Sequence, residues 1–520
     1  MKIIIKSKYK NPNKLYYTCF ICLLLFSSFQ IVYSQQASNE RIELVKANSL
    51  EYDKTKGENV RRLIGDVALK HKKYLLYCDS AYLYSETNTL TAFSNVRIVS
   101  GDTLNVTGNY LNYNGNTQIA ELKGKAKLSD KKSTLLTEQL IYNMKDNTAY
   151  YPVYGNITNP TNTLNSKTGY YFAKAKKFVF HKDVNLVSKD YTIKSDTMTY
   201  HTPTEKVFFN GPTKIYNVNN TINCNKGELD TRQNNYFFYN KAIIYYKNQS
   251  IEADSIVYYK DKKIAKAFRK VIIIDTTENI IILGNKAIYR ETDSNLRVSN
   301  QPVLIMHDRL DSLYLGSDSL FTGYNAQNKE RLLLAYHNVR FFRQDLQGKC
   351  DSLIYKTKDS LIIMFKQPIL WSDSTQMSAD TVNIVLKKGK IESVDFFNNS
   401  FIISRYDTSR YDQIKGKNMK AFFKDNDITK ISVKQNAEII YNMAEDNGSL
   451  IGINKSAAPD VLIYINDNKI NKVVQLGNTE GTVFPESKLP ASTALLKNFK
   501  WEKSKRPLSK YDITGKINQK

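Results

Sequence analysis

The stretch Ser195-Asp196-Thr197-Met198-Thr199-Tyr200, followed by Asn210-Gly211-Pro212-Thr213-Lys214-Ile215, decides the fold. The first half reads small–Asp–x–apolar–x–Tyr. A polar turn and a short strand follow, and then the second half reads Gly/Asn–x–apolar–x–apolar. Both halves recur along the chain. The first is found at Asn48–Tyr52, Ser80–Tyr84, Asn109–Tyr113, Glu138–Tyr142, Asp254–Tyr258, Asn285–Tyr289, Asp351–Tyr355 and Asp380–Ile384, with a late echo at Asp460–Tyr464. The second keeps step at Gly65–Leu69, Ser94–Ile98, Gly124–Leu128, Lys182–Leu186, Arg269–Ile273, His337–Phe341 and Asn436–Ile439. Successive copies lie roughly 30 residues apart, a spacing of stacked repeat architectures.

Each copy alternates apolar and polar residues with period two and is rich in Tyr, Val, Ile, Phe and Thr, the pattern of half-buried strands. Asn114-Gly115 and Asp146-Asn147 tolerate the left-handed conformations of short hairpin loops. Successive strands are therefore expected to be antiparallel. Gly or Asn before the second strand permits a corner. Pro212, Pro302 and Pro368 suit the first residue of a strand, where a missing N–H costs least. A single repeat cannot bury its own apolar face, whereas a stack can. The expected fold class is all-β: an elongated antiparallel β-jellyroll, a folded-sheet trough of about a dozen repeats of ~30 residues. A parallel β-helix is the rival, and the hairpin signals count against it.

Composition supports a folded core: 42% of the 520 residues are hydrophobic, with 36 Tyr and 23 Phe against 11 Pro. Residues 1–34 read as a secretory signal peptide, with Lys2, Lys6, Lys8, Lys10 and Lys14 before the apolar run Cys19–Phe26 and small residues before Gln35. Cleavage would lower the formal charge from +25 to +20. Residues 35–441 carry the repeats, 442–485 a polar insertion and a terminal strand pair, and 486–520 a basic tail. In that tail Leu495, Leu496, Phe499 and Trp501 are placed to dock on the last repeat, if the end is ordered.

Catalytic signatures are missing. Cys78, Cys224 and Cys350 are odd in number and far apart, and two of them fill the repeat's small-residue slot, so they read as buried strand residues rather than a disulfide framework. The five His are scattered without metal-ligand spacing. The recurring Asp (Asp196, Asp254, Asp318, Asp351, Asp380) evokes the paired carboxylates of a glycan-active enzyme. It is replaced by Asn48 or Glu138 elsewhere, which fits a strand-entry turn residue. No cofactor, metal site or nucleic-acid partner is expected; the excess Lys reads as a solvated outer face.

With these residues in view, the chain resembles the organic-solvent-tolerance (OstA)-like family, which comprises LptA, LptC and the N-terminal domain of LptD. Ile193 to Asp230 carries the resemblance most clearly, and Gly477 through Pro485 with Phe499-Lys500-Trp501 looks like long Bacteroidetes members. The resemblance implies a non-enzymatic periplasmic bridge. It would bind lipopolysaccharide by its lipid A acyl chains and pass it toward the outer membrane, with other β-jellyroll transport proteins as partners at its ends. The groove is then expected to use Leu111, Tyr113, Leu140, Tyr142, Met198, Tyr200, Ile256, Tyr258, Leu353 and Tyr355. The same residues serve equally to fill a closed core. Two departures stand out: many more repeats than a minimal LptA, and no recognisable outer-membrane barrel. An exported β-solenoid that binds polysaccharide or mediates adhesion is the alternative, and a glycan-active enzyme ranks below it.

Overall fold

Alternation along the strand Thr192–His201 buries Ile193, Ser195 and Met198 and leaves Lys194 and Asp196 in solvent. After the turn at 202–205 the chain returns as Lys206–Tyr216, placing Tyr200 opposite Val207, Met198 opposite Phe209 and Ile193 opposite Ile215. Between these contacts the register shifts: Gly211 and Pro212 together stand against Asp196. This extra residue is a β-bulge, and it bends both strands in their middle. Each strand therefore has two arms, one carrying the Tyr position and one carrying the Gly–x–apolar motif.

The same bend recurs rung after rung in this computed structural model, which describes residues 40–515 except 58, 101–103, 130–132, 308–311, 326–329, 388–389, 426, 446–448, 467–468 and 486–493. The proposed signal peptide lies outside the described residues. At most bends two consecutive residues have positive φ: Gly65-Asp66, Ser94-Asn95, Gly124-Lys125, Asn240-Lys241, Asn300-Gln301, Asn398-Asn399 and others. Gly and Asn enter this region at low steric cost, which explains why they recur there. Pro212, Pro302 and Pro368 follow such residues at the bend. Pro212 lies inside a strand rather than at its start, because the bulge leaves its position without a ladder partner.

The same geometry corrects part of the reading of the recurring Asp. It sits opposite the bend: Asp196, Asp254 and Asp351 lie in mid-strand, whereas Asp318 and Asp380 immediately precede the strands Ser319–Asn325 and Thr381–Lys387 and do stand at strand entry. Its carboxylate receives the bend's donors: Asn95 Nδ2 to Asp79 at 2.8 Å, Asn338 Nδ2 to Asp318 at 2.9 Å and the Gln435 N–H to Asp460 at 3.1 Å. Where Asn replaces Asp the job is inverted, and Asn225 and Asn285 donate to the carbonyls of Asn240 and Asn300, each at 3.3 Å.

The small residue preceding it packs inside the bend. Ser195 Oγ shares a hydrogen bond with Thr213 Oγ1 at 2.8 Å and donates to the Thr197 carbonyl at 3.1 Å. Cys350 takes the same slot, its thiol donating to the Ser352 carbonyl at 3.2 Å. Cys78, Cys224 and Cys350 are free and buried. Burial pushes the Cys78 and Cys350 thiols up to about 12 and the Cys224 thiol to about 11, so they stay protonated and unreactive.

All pairings among the described residues are antiparallel and belong to one sheet of 36 strands. Some rungs are interrupted at the bend and counted as two strands, such as Gly155–Thr158 with Thr148–Tyr151 on the strand Thr134–Asn143. Roughly 28 rungs at about 4.8 Å give a length of about 130 Å. One apolar cluster fills the space between the arms from Ile42 to Ile463.

The C-terminal part departs from expectation in two ways. Leu450–Asn466 is a long strand paired with Asp427–Ala444, so most of the expected polar insertion continues the sheet, with Ile453 and Ala458 buried. The tail does not cap the last repeat. It runs back along the outer face of the Gly-motif arm, which is apolar on both sides there: Ile402 faces the main core, while Phe401 and Ile403 join Ile440, Ile453 and Leu496 outside, flanked by Phe499 and Trp501. Leu495 is exposed. Three buried glutamines hold the tail. Gln413 donates to the Ala494 carbonyl (3.0 Å) and accepts from the Leu496 N–H (2.8 Å). Gln376 does the same with Lys500 and Glu502, both at 2.7 Å. Gln347 accepts from Arg506 Nε at 2.8 Å.

Candidate functional site

The inner faces of the arms form the only continuous feature that runs through the described repeats. All ten expected residues face it. Leu111, Tyr113, Leu140, Tyr142, Met198, Ile256 and Leu353 are buried, Tyr200 and Tyr355 are half-buried against the same core, and Tyr258 is half-buried beside Tyr236. Neighbouring copies touch across the strands: Leu122 lies between Leu111 and Leu140, and Ala120 between Tyr113 and Tyr142. Tyr236 stacks on Tyr258 with ring centroids 5.9 Å apart. The small Ala between large Tyr lets the rungs interdigitate at interior density.

The track is not uniform along its length. From residue 63 to residue 151 the lips of the trough are closed. His71, at the end of the Gly-motif arm, meets Tyr113 on the opposite arm through Nδ1 and the phenol oxygen at 2.5 Å, and its Nε2 contacts the Glu40 carbonyl at 2.9 Å. Tyr74 likewise crosses, donating to the Met144 carbonyl at 2.9 Å and to Asn147 Oδ1 at 3.0 Å, and Tyr142 reaches the same Asn147 oxygen at 3.3 Å. Burial raises the Tyr113 and Tyr142 phenols above their ordinary value. They act as neutral hydrogen-bonding groups inside a sealed core.

Beyond this seal the arms part. A cavity of about 20 Å³, lined by Leu128, Leu135, Ala149, Tyr151, Tyr171 and Phe178, marks the transition. From there inward-facing residues near both lips are only half-buried: Tyr171, Phe178, Tyr200, Tyr236 and Tyr258 on one arm, Leu186, Ile222, Ile244, Ile251 and Ile273 on the other. Two ion pairs cross the mouth. Lys260 approaches Asp190 at 3.7 Å and Arg331 approaches Asp275 at 3.8 Å. Their side chains are largely exposed, apart from that of Asp275, so such links hold the lips weakly and yield to salt. Burial and the Glu291 carboxylate, which accepts from the Tyr258 hydroxyl at 3.0 Å, push the Tyr258 phenol up to about 12.

Among the described residues the site thus presents an apolar strip with neutral phenols and no charged group at the floor of the middle rungs, where Met198 and Ile256 lie. Its chemistry is burial, worth roughly 25 cal/mol per Å² of apolar surface. Among the described residues no cluster of three His, Cys, Asp or Glu has metal-holding geometry, and no helix is long and apolar enough to cross a membrane. Reading only the Tyr half of the motif missed the opposing lip, although Ile244 and Ile273 carry the same period-two signal in the second half. It also missed His71, Tyr74 and Asn147, which seal the N-terminal rungs and carry no repeat signal.

Residues 39–196 match the family described as "OstA-like protein". A search of curated proteins gives no match. Among solved structures, LptH from Pseudomonas aeruginosa, described as the LptA homologous periplasmic component of a lipopolysaccharide transport device, is 15% identical. It covers 22% of this chain and 93% of its own, with a TM-score of 0.21. The WD40 domain of SCAP from fission yeast is 10% identical over 77% of this chain and 96% of its own, with a TM-score of 0.11.

Proposed function

From the premise that residues 39–196 are OstA-like, we propose that this chain is a non-enzymatic periplasmic carrier of lipopolysaccharide. Acyl chains lie between the arms, and the glycan head stays in water at the mouth. The observation that carries this reading is the change along one apolar track, from sealed rungs at 63–151 to rungs whose lip residues, Tyr171 to Ile273, are half-buried. A trough built only to fill itself has no need of that difference. Loading is expected through the open side of the middle rungs, with Met198 and Ile256 at the floor and Tyr200 and Tyr258 at the lip. The full length of about 130 Å favours a bridge made by one chain, with other β-jellyroll transport proteins meeting its ends.

A photoreactive residue in place of Tyr200, Tyr258, Tyr113 or Tyr142 in living cells tests the reading. The first two positions are expected to capture lipopolysaccharide and the sealed pair to capture none. Capture at the outward Tyr245 without capture at Tyr200 or Tyr258 would sink it.

A further inference from the structure

We propose that the outer face of the Gly-motif arm holds a second binding site, for an anionic glycan, centred on Lys194, Lys214 and Asn185. Lys194 and Lys214 stand directly opposite each other on neighbouring strands, with Asn185 beside one and Asn223 beside the other. Like charges in this position destabilise a sheet. Neither lysine makes an ion pair with any described residue; Lys214 Nζ lies over the Tyr216 ring, 5.7 Å from its centroid. Both line an outward cleft of about 870 Å³. Within the cleft, Asn185 Oδ1 is shielded from solvent yet has no hydrogen-bond partner, a cost that a donor from a ligand removes.

The docked tail is held at Gln347, Gln376 and Gln413, on rungs well beyond the Lys194–Lys214 pair, and its Glu502 is itself paired with Lys505 at 2.8 Å. A ligand that offers an anion to two lysines and a hydroxyl to Asn185 a few ångströms away is a sugar bearing a carboxylate or phosphate. Asp183 and Asp196 at the corner end of the cleft are placed to accept further sugar hydroxyls. This surface faces away from the apolar track, so the site does not depend on the carrier function.

The test uses the full mature chain in isothermal titration. Lipid-free oligogalacturonate and lipopolysaccharide-containing vesicles serve as probes, and neutral maltooligosaccharide is the control. Wild type is expected to bind an anionic probe and not the neutral one. The Lys194→Gln/Lys214→Gln variant should lose at least tenfold in affinity, and Asn185→Leu several-fold, while Lys127→Gln on the same arm stays unchanged. Binding of either anionic probe with this residue dependence upholds the site, and the probe that binds identifies free glycan or lipid head as the source. No binding of either, or binding that the variants leave intact, overturns it. As a check on folding, Lys214→Gln without ligand should melt at or above the wild-type temperature, because it relieves the like-charge pair.

Discussion

Asn399 donates from Nδ2 to the Asp380 carboxylate at 2.9 Å, and that bond closes a bend in which Asn398 and Asn399 both have positive φ, 56° and 49°. Bend and carboxylate are separate sequence signals nineteen residues apart here, and the same kind of bond joins Asn95 to Asp79 and Asn338 to Asp318. Asp380→Ala is expected to cost about 1 kcal/mol, the usual net value of one hydrogen bond. Asn399→Val should cost about 2 kcal/mol, because a β-branched residue resists the left-handed region. Denaturant midpoints order the pair; equal losses would show that the carboxylate, rather than the backbone, sets the bend.

The repeat, its period and its antiparallel pairing were legible because alternation is local: Met198 and Tyr200 declare a face within six residues. Asp196, Asp254 and Asp351 were read as strand-entry residues because a bulge and a hairpin ask for the same residues, Asn, Gly and Asp. What separates a sealed rung from an open one was not legible at all. Tyr113 and Tyr200 fill the same slot, and the difference is made by His71, forty-two residues before Tyr113 and on the other arm, together with Tyr74 and Asn147. Docking by Leu496, Phe499 and Trp501 was legible as an apolar cluster, but its place was hidden for the same reason, since Gln347, Gln376 and Gln413 become a row only once the rungs are stacked.

Removing the seal should be costly where removing an open-rung hydroxyl is not. Tyr113→Phe leaves a buried His71 nitrogen without its partner, at about 1–3 kcal/mol. Tyr200→Phe, half-buried and without such a bond, should change stability by less than about 0.5 kcal/mol. Thermal unfolding gives the totals, and hydrogen exchange should place the Tyr113→Phe loss within residues 63–151.

Charge at the open lip should spare the fold and remove the carrier. Tyr200→Arg and Tyr258→Arg replace half-buried phenols whose neighbours already reach solvent, so the protein should remain folded. A guanidinium at the lip opposes acyl chains in the groove. Cells relying on these variants should become sensitive to detergents and hydrophobic antibiotics at normal protein levels; unchanged resistance would count against an apolar cargo.

Acid should loosen the bends. The Ser352 hydroxyl, then His337 and Lys366, hold the Asp351 carboxyl down at about 2 from its ordinary 3.8. A depressed folded pKa means that its contribution is complete above about pH 4 and is lost as pH falls toward 2. Asp460, held low by Lys434, acts in the same direction. Asp351→Asn should therefore narrow the difference in melting temperature between pH 5 and pH 2. A variant with the wild-type pH profile would mean that the carboxylate does not feel its partners.

The tail can be followed by light, because the chain has two tryptophans and both lie at the docked segment. Trp371 is 1% exposed and donates from Nε1 to Gln376 Oε1 at 3.3 Å, the same oxygen that receives the Glu502 N–H. Trp501 packs against Tyr411 with centroids 5.4 Å apart. Gln376→Ala leaves the Lys500 carbonyl, the Glu502 N–H and the Trp371 indole without their shared partner. Each buried group so orphaned costs about 1–3 kcal/mol. The expected result is a red-shifted emission at temperatures well below global melting, with cleavage by trypsin at Lys500 and Lys503 while the repeats stay intact. Gln413→Ala should free the Leu496 end and shift the emission less. If emission in both variants changes only with global unfolding, the tail is an inseparable part of the sheet's core rather than a strap laid over it.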